Sequence, residues 1–326
     1  MKKIWIGIGI AVILALLSSC GGGGGGGPSI TPTSPPTSDE VSKLLPMEQN
    51  QTLKYSWTVS SSINANATGN FEIGQKRFQL GPIPLLIPLP KFLPQRDGTH
   101  TYSLSANATI NGTLTTTITT NPGVTFPANW PQNIITVETD TGQGSGSATA
   151  TLSIDGKPQT ETHSVDVDPL LTREFLTNDS GKVKCWGMQT KNSDWGSIED
   201  FTADFGGSPL LLLQADTSSW DVVPHIDTED FSADIKATLL GKQTVGSYDC
   251  YVVKYTLANF QLKTQPENGN VTINNFAPTI TVWYAPGTGI VKSEGIISLT
   301  GSFQDYESNA KGSITKMEIK FSTSLK

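Results

Sequence analysis

The sequence is poor in the residues that most often build metal centres and nucleophilic sites. It has three cysteines and three histidines in 326 residues. The histidines, His100, His163 and His225, stand more than 60 residues apart, so none forms a ligand-spaced pair. A Gly-x-Ser-x-Gly nucleophile elbow and a phosphate-binding loop are both missing. The sequence therefore predicts no catalytic residue, no metal and no cofactor, and a protein that is not an enzyme.

Charge is also scarce. Only 16% of the residues are charged, and the 22 basic residues are outnumbered by 29 acidic ones, which gives a net charge of −7. A nucleic-acid partner requires a basic face, so this balance argues against one. The same balance argues against electrostatic docking on anionic lipid.

The N-terminus has the pattern of a secretion signal. Lys2 and Lys3 precede an apolar run from Ile4 to Leu17, which is short for a membrane span. Leu17-Ser18-Ser19-Cys20 follows and resembles the lipobox of prokaryotic lipoproteins. This resemblance implies a signal peptide over residues 1–19 and acyl chains, such as palmitate, on Cys20. Two or three such chains hold a membrane stably, which predicts a cell-envelope protein anchored in the outer membrane or at the cell surface. The alternative is an ordinary signal peptide with an incidental cysteine.

Glycine and proline dominate the next segment. Seven glycines, Gly21–Gly27, are followed by a Ser/Thr/Pro-rich stretch. Polyglycine buries no apolar surface and loses much entropy on ordering. The composition predicts a flexible linker over residues 20–44 and a single antiparallel β domain over residues 45–326.

The remainder alternates between apolar and polar residues with period two, which is typical of half-buried strands. Asn111-Gly112 and Asp155-Gly156 each separate two alternating runs, and such dipeptides predict hairpin turns. No amphipathic helix is indicated. The fold class predicted is all-β, with a large and strongly curved antiparallel sheet that forms a half-barrel or open barrel.

Two apolar stretches depart from this alternation. The run at 209–213 is expected to be a fully buried strand or turn. A second stretch contains five prolines from Pro82 to Pro94, which exclude a central strand. It is interpreted as a plug packed over the core or as a lid over a ligand groove. Its large apolar side chains are Ile83, Leu85, Leu86, Ile87, Leu89, Phe92 and Leu93.

Two cysteines remain after Cys20. Cys185 and Cys250 are an even pair in a chain predicted to be secreted, so they are a candidate disulfide. The sequence leaves open whether they are bridged.

A family resemblance is carried by the C-terminal part of the chain. Residues 241–255 precede a Trp-Tyr-Ala-Pro-Gly hairpin at 282–292, and weaker matches lie at 45–55 and 205–220. This pattern resembles a group of secreted prokaryotic β-sheet lipoproteins. The group implies a curved antiparallel sheet similar to the half-barrels of the lipoprotein carriers LolA and LolB, and it implies no catalytic residues. The hairpin residues are Trp283, Tyr284, Pro286, Gly287, Gly289 and Lys292.

Two functions fit these features. In the first, the concave face of the sheet binds a lipid or another apolar ligand, since a wide sheet without helices must cover its apolar face. In the second, the chain is a structural or protein-interaction component of the envelope and binds no small molecule. The expected partners are thus the membrane, through Cys20, and either a lipid or an envelope protein.

Overall fold

The structure is a computed structural model that describes most of the chain beyond its N-terminus. It describes residues 29–44, 50–69, 99–120, 122–168, 171–191, 194–223, 225–227, 231–265, 269–306 and 310–326. These residues form fifteen antiparallel strands and two short helices, and the sheet is curved and open. The predicted all-β fold class is confirmed.

The elements in chain order are two helices, α1 (Ser38–Ser42) and α2 (Phe201–Asp204), and the strands β1 (Thr52–Gly69), β2 (His100–Thr119), β3 (Ile135–Ile154), β4 (Lys157–Val167), β5 (Leu171–Asp179), β6 (Lys182–Lys191), β7 (Glu199–Asp200), β8 (Leu210–Gln214), β9 (Ser219–Asp221), β10 (Ile226–Asp227), β11 (Phe231–Val245), β12 (Tyr248–Leu262), β13 (Gly269–Ala285), β14 (Gly289–Asp305) and β15 (Ala310–Leu325). The predicted buried run at 209–213 is strand β8, with Leu210, Leu212 and Leu213 buried.

The strands lie in the order β10-β11-β12-β13-β14-β15-β1-β2-β3-β5-β6-β7, with β4 on β3, β8 on β6 and β9 on β11. The sheet therefore ends with β7, next to β6, on one side and with β10, next to β11, on the other. Strands β8 and β9 approach each other between these sides, where the Leu211 amide donates to the Val222 carbonyl at 2.7 Å. Along the strand direction the sheet has two ends. We call the end at which β1 begins and β2 ends the base. The opposite end, at Gly69 and His100, is the distal end.

Alternation along each strand separates two faces. On β1, Tyr55, Trp57 and Val59 are buried in the main hydrophobic cluster, and the intervening serines and threonine face the other way. We call the face that carries the main cluster the inner face. A smaller cluster lies on the outer face and contains Cys250, Val252, Trp283, Ala285 and Val291.

The two predicted Asx-Gly turns have different outcomes. Asp155 (φ 49°) and Gly156 (φ 77°) form the tight turn between β3 and β4, as predicted. Asn111-Gly112 lies inside β2, so that predicted turn is wrong. Gly112 pairs with Trp57 and with Gly144 of β3, and the indole covers both glycines. A Cβ on Gly112 would lie 2.4 Å from the Trp57 ring.

The N-terminal residues 29–44, here called the strap, pack across the base. Thr31 pairs with Lys242 of β11, and a capping box between Thr37 and Glu40 begins α1. Val41 and Leu44 are fully buried in the main cluster. The prediction of a flexible linker as far as residue 44 is therefore wrong for 29–44, because these two apolar side chains bind the segment to the core.

Candidate functional site

The interior near the base contains polar groups among apolar side chains. Tyr255 of β12 donates its hydroxyl to the Leu212 carbonyl at 2.7 Å and lies 2.9 Å from the Tyr284 hydroxyl. Because the Tyr255 proton is used by Leu212, Tyr284 donates to Tyr255. Desolvation raises the pKa of both phenols, so both stay neutral.

Glu174 is placed on the inner face by strand β5. Its register partners are Val137 of β3 and Met188 of β6, and both side chains pack in or against the main cluster. The Glu174 carboxyl has no hydrogen bond or ion pair with any residue that the structure describes. Desolvation raises its pKa to about 8. Glu174 nevertheless keeps part of its surface accessible.

The basic neighbours of Glu174 lie on the outer face. Arg173 bonds to Glu138 at 2.6 Å and stacks on Trp195, with its guanidinium 4.0 Å from the ring centre. Lys184 pairs with Asp179 at 3.3 Å. Both cations are therefore paired on the outer face, and the described residues provide no counter-charge for the inner carboxyl.

The two cysteines predicted as a candidate disulfide are both free. Cys185 of β6 lies in the main cluster, whereas Cys250 of β12 lies in the outer-face cluster. Cys250 is adjacent to Tyr251, which points inward, so strand geometry directs the Cys250 side chain outward. The candidate disulfide is therefore not formed, because the sheet itself separates the thiols. Burial raises the pKa of Cys185, and it raises the pKa of Cys250 to about 12.

The inner face changes character toward the distal end. Beyond Val59 on β1, the inward side chains are only half-buried. Their cross-strand neighbours are mixed: Leu104 and Ile314 are half-buried, whereas Tyr102, Ala106 and Met317 are buried. Together the half-buried side chains form an apolar surface that we call the distal wall. Its large side chains are Ile63, Leu104, Ile273, Leu299 and Ile314.

The outer face carries two polar depressions across β13, β14, β15 and β1. One, of about 420 Å³, is lined by hydroxyl and amide side chains that include Asn66, Thr272 and Gln304. The other, of about 400 Å³, lies beside Thr58, Glu294 and Lys320. Neither is lined by a large side chain of the distal wall.

The hairpin residues joining β13 and β14 have structural contacts. Trp283 lies in the outer-face cluster and donates to Gln243 at 2.6 Å, and the Lys292 ammonium lies 4.5 Å from its ring centre. Tyr284 points inward. Gly287 (φ 72°) and Gly289 (φ 85°) allow the reversal after Pro286. The Gly287 amide also donates to the Lys43 carbonyl at 2.6 Å, which ties this turn to the strap.

Several predicted site residues lie outside the described residues. They are Cys20 and the plug-or-lid residues Ile83, Leu85, Leu86, Ile87, Leu89, Phe92 and Leu93. The plug and lid interpretations both stay predictions, as does lipidation.

Sequence reasoning missed Glu174. The apolar pattern of 171–179 is weak, because Thr172, Arg173 and Glu174 interrupt it, so the sequence does not indicate which way the carboxyl points. The available signal was one carboxylate in a strand flanked by apolar residues.

Comparisons with protein-family models, curated proteins and solved structures find no match to this chain. Within the described ranges, no group of three metal-ligating side chains occurs. Those ranges also contain no helix that is long and apolar enough to cross a membrane.

Proposed function

We propose that this chain is an envelope lipoprotein, anchored through Cys20, whose inner face binds an apolar ligand with an acyl chain. The observation that carries the proposal is the distal wall. Its large apolar side chains are half-buried, although most large apolar side chains of the same face are buried toward the base. Exposed apolar area is costly in water, at about 25 cal/mol per Å², so an apolar ligand that covers the wall is stabilised there.

The composition of the wall suits an acyl chain. Leu104 is flanked in register by Ala65 of β1 and Leu152 of β3. Alanines at Ala67, Ala106 and Ala108 leave room between the larger side chains. A strip of branched apolar groups separated by small ones suits a narrow flexible chain better than a planar ring system.

The second function, a protein-interaction component without a ligand, has less support. The described outer surface exposes one large hydrophobic side chain, Tyr306, which is 60% exposed. Protein-docking patches usually contain several such side chains at their centre. The outer face is instead dominated by hydroxyl and amide groups.

The proposal is tested by binding of a fluorescent fatty acid. Leu104→Glu places a charge in the distal wall and should weaken binding about tenfold or more, since the acyl chain would have to desolvate that charge. Ser105→Glu puts the same charge on the outer face of the same strand and should leave the affinity unchanged. Equal affinities in the two variants, or no binding to the native protein, would overturn the proposal.

A further inference from the structure

We infer that two copies of this chain form a twofold dimer in which their β4 strands pair antiparallel, edge to edge. The dimer is independent of ligand binding, so it goes beyond the proposed function. Two features of β4 support it: the backbone groups along its free side and the charged side chains that it carries.

Strand β4 lies at an edge of the sheet. It pairs with β3 over all of its 11 residues, and no residue that the structure describes pairs with its other side. The hydroxyls of Thr149 and Thr162 lie 2.9 Å apart, and those of Thr151 and Thr160 lie 2.8 Å apart, which fastens β4 to β3. This edge is therefore long and preformed, and a row of unpaired backbone groups is a template for pairing with another chain.

The backbone groups on the free side can be assigned from the neighbouring strands. The Asp155 amide donates to the Thr101 carbonyl of β2 at 2.8 Å, so odd-numbered residues in this part of β3 bond to β2 and even-numbered ones bond to β4. Even-numbered residues of β3 pair with odd-numbered residues of β4. The amides and carbonyls of Thr160, Thr162 and Ser164 therefore point away from β3, toward the free side.

Side-chain charge selects one register for the pairing of two copies. Glu161 and His163 lie on the inner face, because they alternate in step with Val165 of the main cluster. When Thr162 lies opposite its own copy, each Glu161 lies directly opposite the partner's His163, in a pair whose side chains approach closely. The next register on either side would place two Glu161 carboxylates or two His163 rings opposite each other.

Charged side chains on an edge strand usually oppose pairing, but in this register they are complementary. Within one copy the His163 ring lies 3.1 Å from the Glu161 carboxylate, and the dimer would bring two such pairs together. Twofold antiparallel pairing also keeps both inner faces on the same side of the joined sheet.

The contact is small. Thr160, Thr162 and Ser164 supply about six main-chain hydrogen bonds between two copies. An interface of one strand per copy is smaller than that of a stable dimer, so the dissociation constant should be of the order of micromolar or weaker. Because main-chain bonds provide the contact, it requires no exposed apolar patch.

Sedimentation velocity from micromolar to millimolar concentration tests the dimer. Thr162→Pro removes an amide from the free side and no bond to β3, so it should leave the melting temperature nearly unchanged and weaken dimerisation about tenfold or more. Glu161→Lys should also weaken it, and His163→Glu added to Glu161→Lys should restore it. A native chain that stays monomeric at millimolar concentration would overturn the inference, as would a dimer that is indifferent to these changes.

Cysteine cross-linking tests the register. Two copies of Thr162→Cys should form a disulfide with each other, since opposite positions of paired strands lie within disulfide range. Thr160→Cys and Ser164→Cys should cross-link when mixed and neither with itself. The native chain gives the background, because its Cys185 and Cys250 are buried. Self-linking of Thr160→Cys as readily as Thr162→Cys would overturn the register. Protection of the Thr162 amide from hydrogen exchange in a monomer would show that the same chain covers the edge, and would overturn the dimer.

Discussion

The base and the distal end of the sheet share one strand pattern but differ in what covers it. On β1, Tyr55, Trp57 and Val59 are at most 7% exposed. Ile63 continues the same inward-facing series on the same strand and is only half-buried. At the base, the strap and the strands from β5 to β12 supply apolar partners. Burial is therefore decided by which segments reach a face, while the alternation decides only which side chains point there.

The largest expected loss of stability comes from truncating a side chain of the strap at the base. Leu44→Ala removes a fully buried side chain from the main cluster and should lower the free energy of unfolding by about 2–5 kcal/mol. Ile63→Ala, in the half-buried distal wall, should cost about 1 kcal/mol, since less surface is lost. Urea denaturation of both variants measures the contrast. If the two changes cost the same, the strap would not be part of the core.

A second prediction is that the burial of Glu174 makes the stability of the fold depend on pH. Its pKa is raised from 4.5 to about 8, so the folded chain holds this proton more tightly than the unfolded chain. The stability it contributes is complete below about pH 4.5 and is lost as the pH rises to about 8. The loss should amount to a few kcal/mol.

Melting curves from pH 5 to pH 8 should therefore show a decline in the native protein that is smaller in Glu174→Gln. A carboxyl introduced by Leu104→Glu in the distal wall gives the matched comparison. Because that site is half-buried, the added pH dependence should be smaller than that of Glu174. An identical pH profile in the native protein and in Glu174→Gln would contradict the enclosure of this carboxyl.

The third prediction concerns the glycines beneath Trp57. A Cβ on Gly144 would lie 2.3 Å from the indole, so Gly144→Ala should destabilise the fold by about 1–3 kcal/mol through overpacking. Ser145→Ala, on the outer face next to it, should change the stability by less than about 0.5 kcal/mol. In a Trp57→Ala background the cost of Gly144→Ala should shrink, which a double-mutant cycle measures. A cost that is independent of Trp57 would mean that backbone flexibility, and not the indole, requires glycine here.

These elements also show how far local sequence patterns reach. Alternation and the Asp155-Gly156 turn were predictable, because both are decided by residues next to each other in the chain. Asn111-Gly112 has the same local signal but forms no turn. The need for Gly112 comes from cross-strand neighbours distant in the sequence, the Gln143 carbonyl and the Trp57 ring.

The strap and Glu174 also differ in how far the sequence indicates their structure. The strap had a readable signal, since Thr37 and Glu40 have capping-box spacing and apolar Val41 follows. The glycine-rich and proline-rich context obscured it. The environment of Glu174 could not have been predicted, because its lack of a partner among the described residues depends on where Arg173 and Lys184 point in the folded sheet.

The smallest expected effect concerns the contact that holds the strap against β12. Tyr251 donates its hydroxyl to Glu40 at 2.5 Å, and the Lys242 ammonium lies 3.7 Å from the same carboxylate. With the Tyr251 bond as the largest cause, these contacts and the Thr37 cap lower the pKa of Glu40 to about 2. The stability that Glu40 contributes is therefore present above about pH 4.5 and is lost as the pH falls toward 2, the opposite direction to Glu174.

Because the Glu40 side chain is 40% exposed, solvent screens this interaction, and Glu40→Gln should cost only about 0.5–1 kcal/mol at pH 7. Glu318→Gln on the outer face of β15 is the matched control, since Glu318 also pairs with lysines but attaches no segment to the core. Glu40→Gln and Glu318→Gln should also differ in hydrogen exchange. Loosening the strap should increase hydrogen exchange at the Val41 and Leu44 amides in Glu40→Gln and leave it unchanged in Glu318→Gln. Equal exchange in both variants would show that the buried apolar side chains hold the strap without help from Glu40.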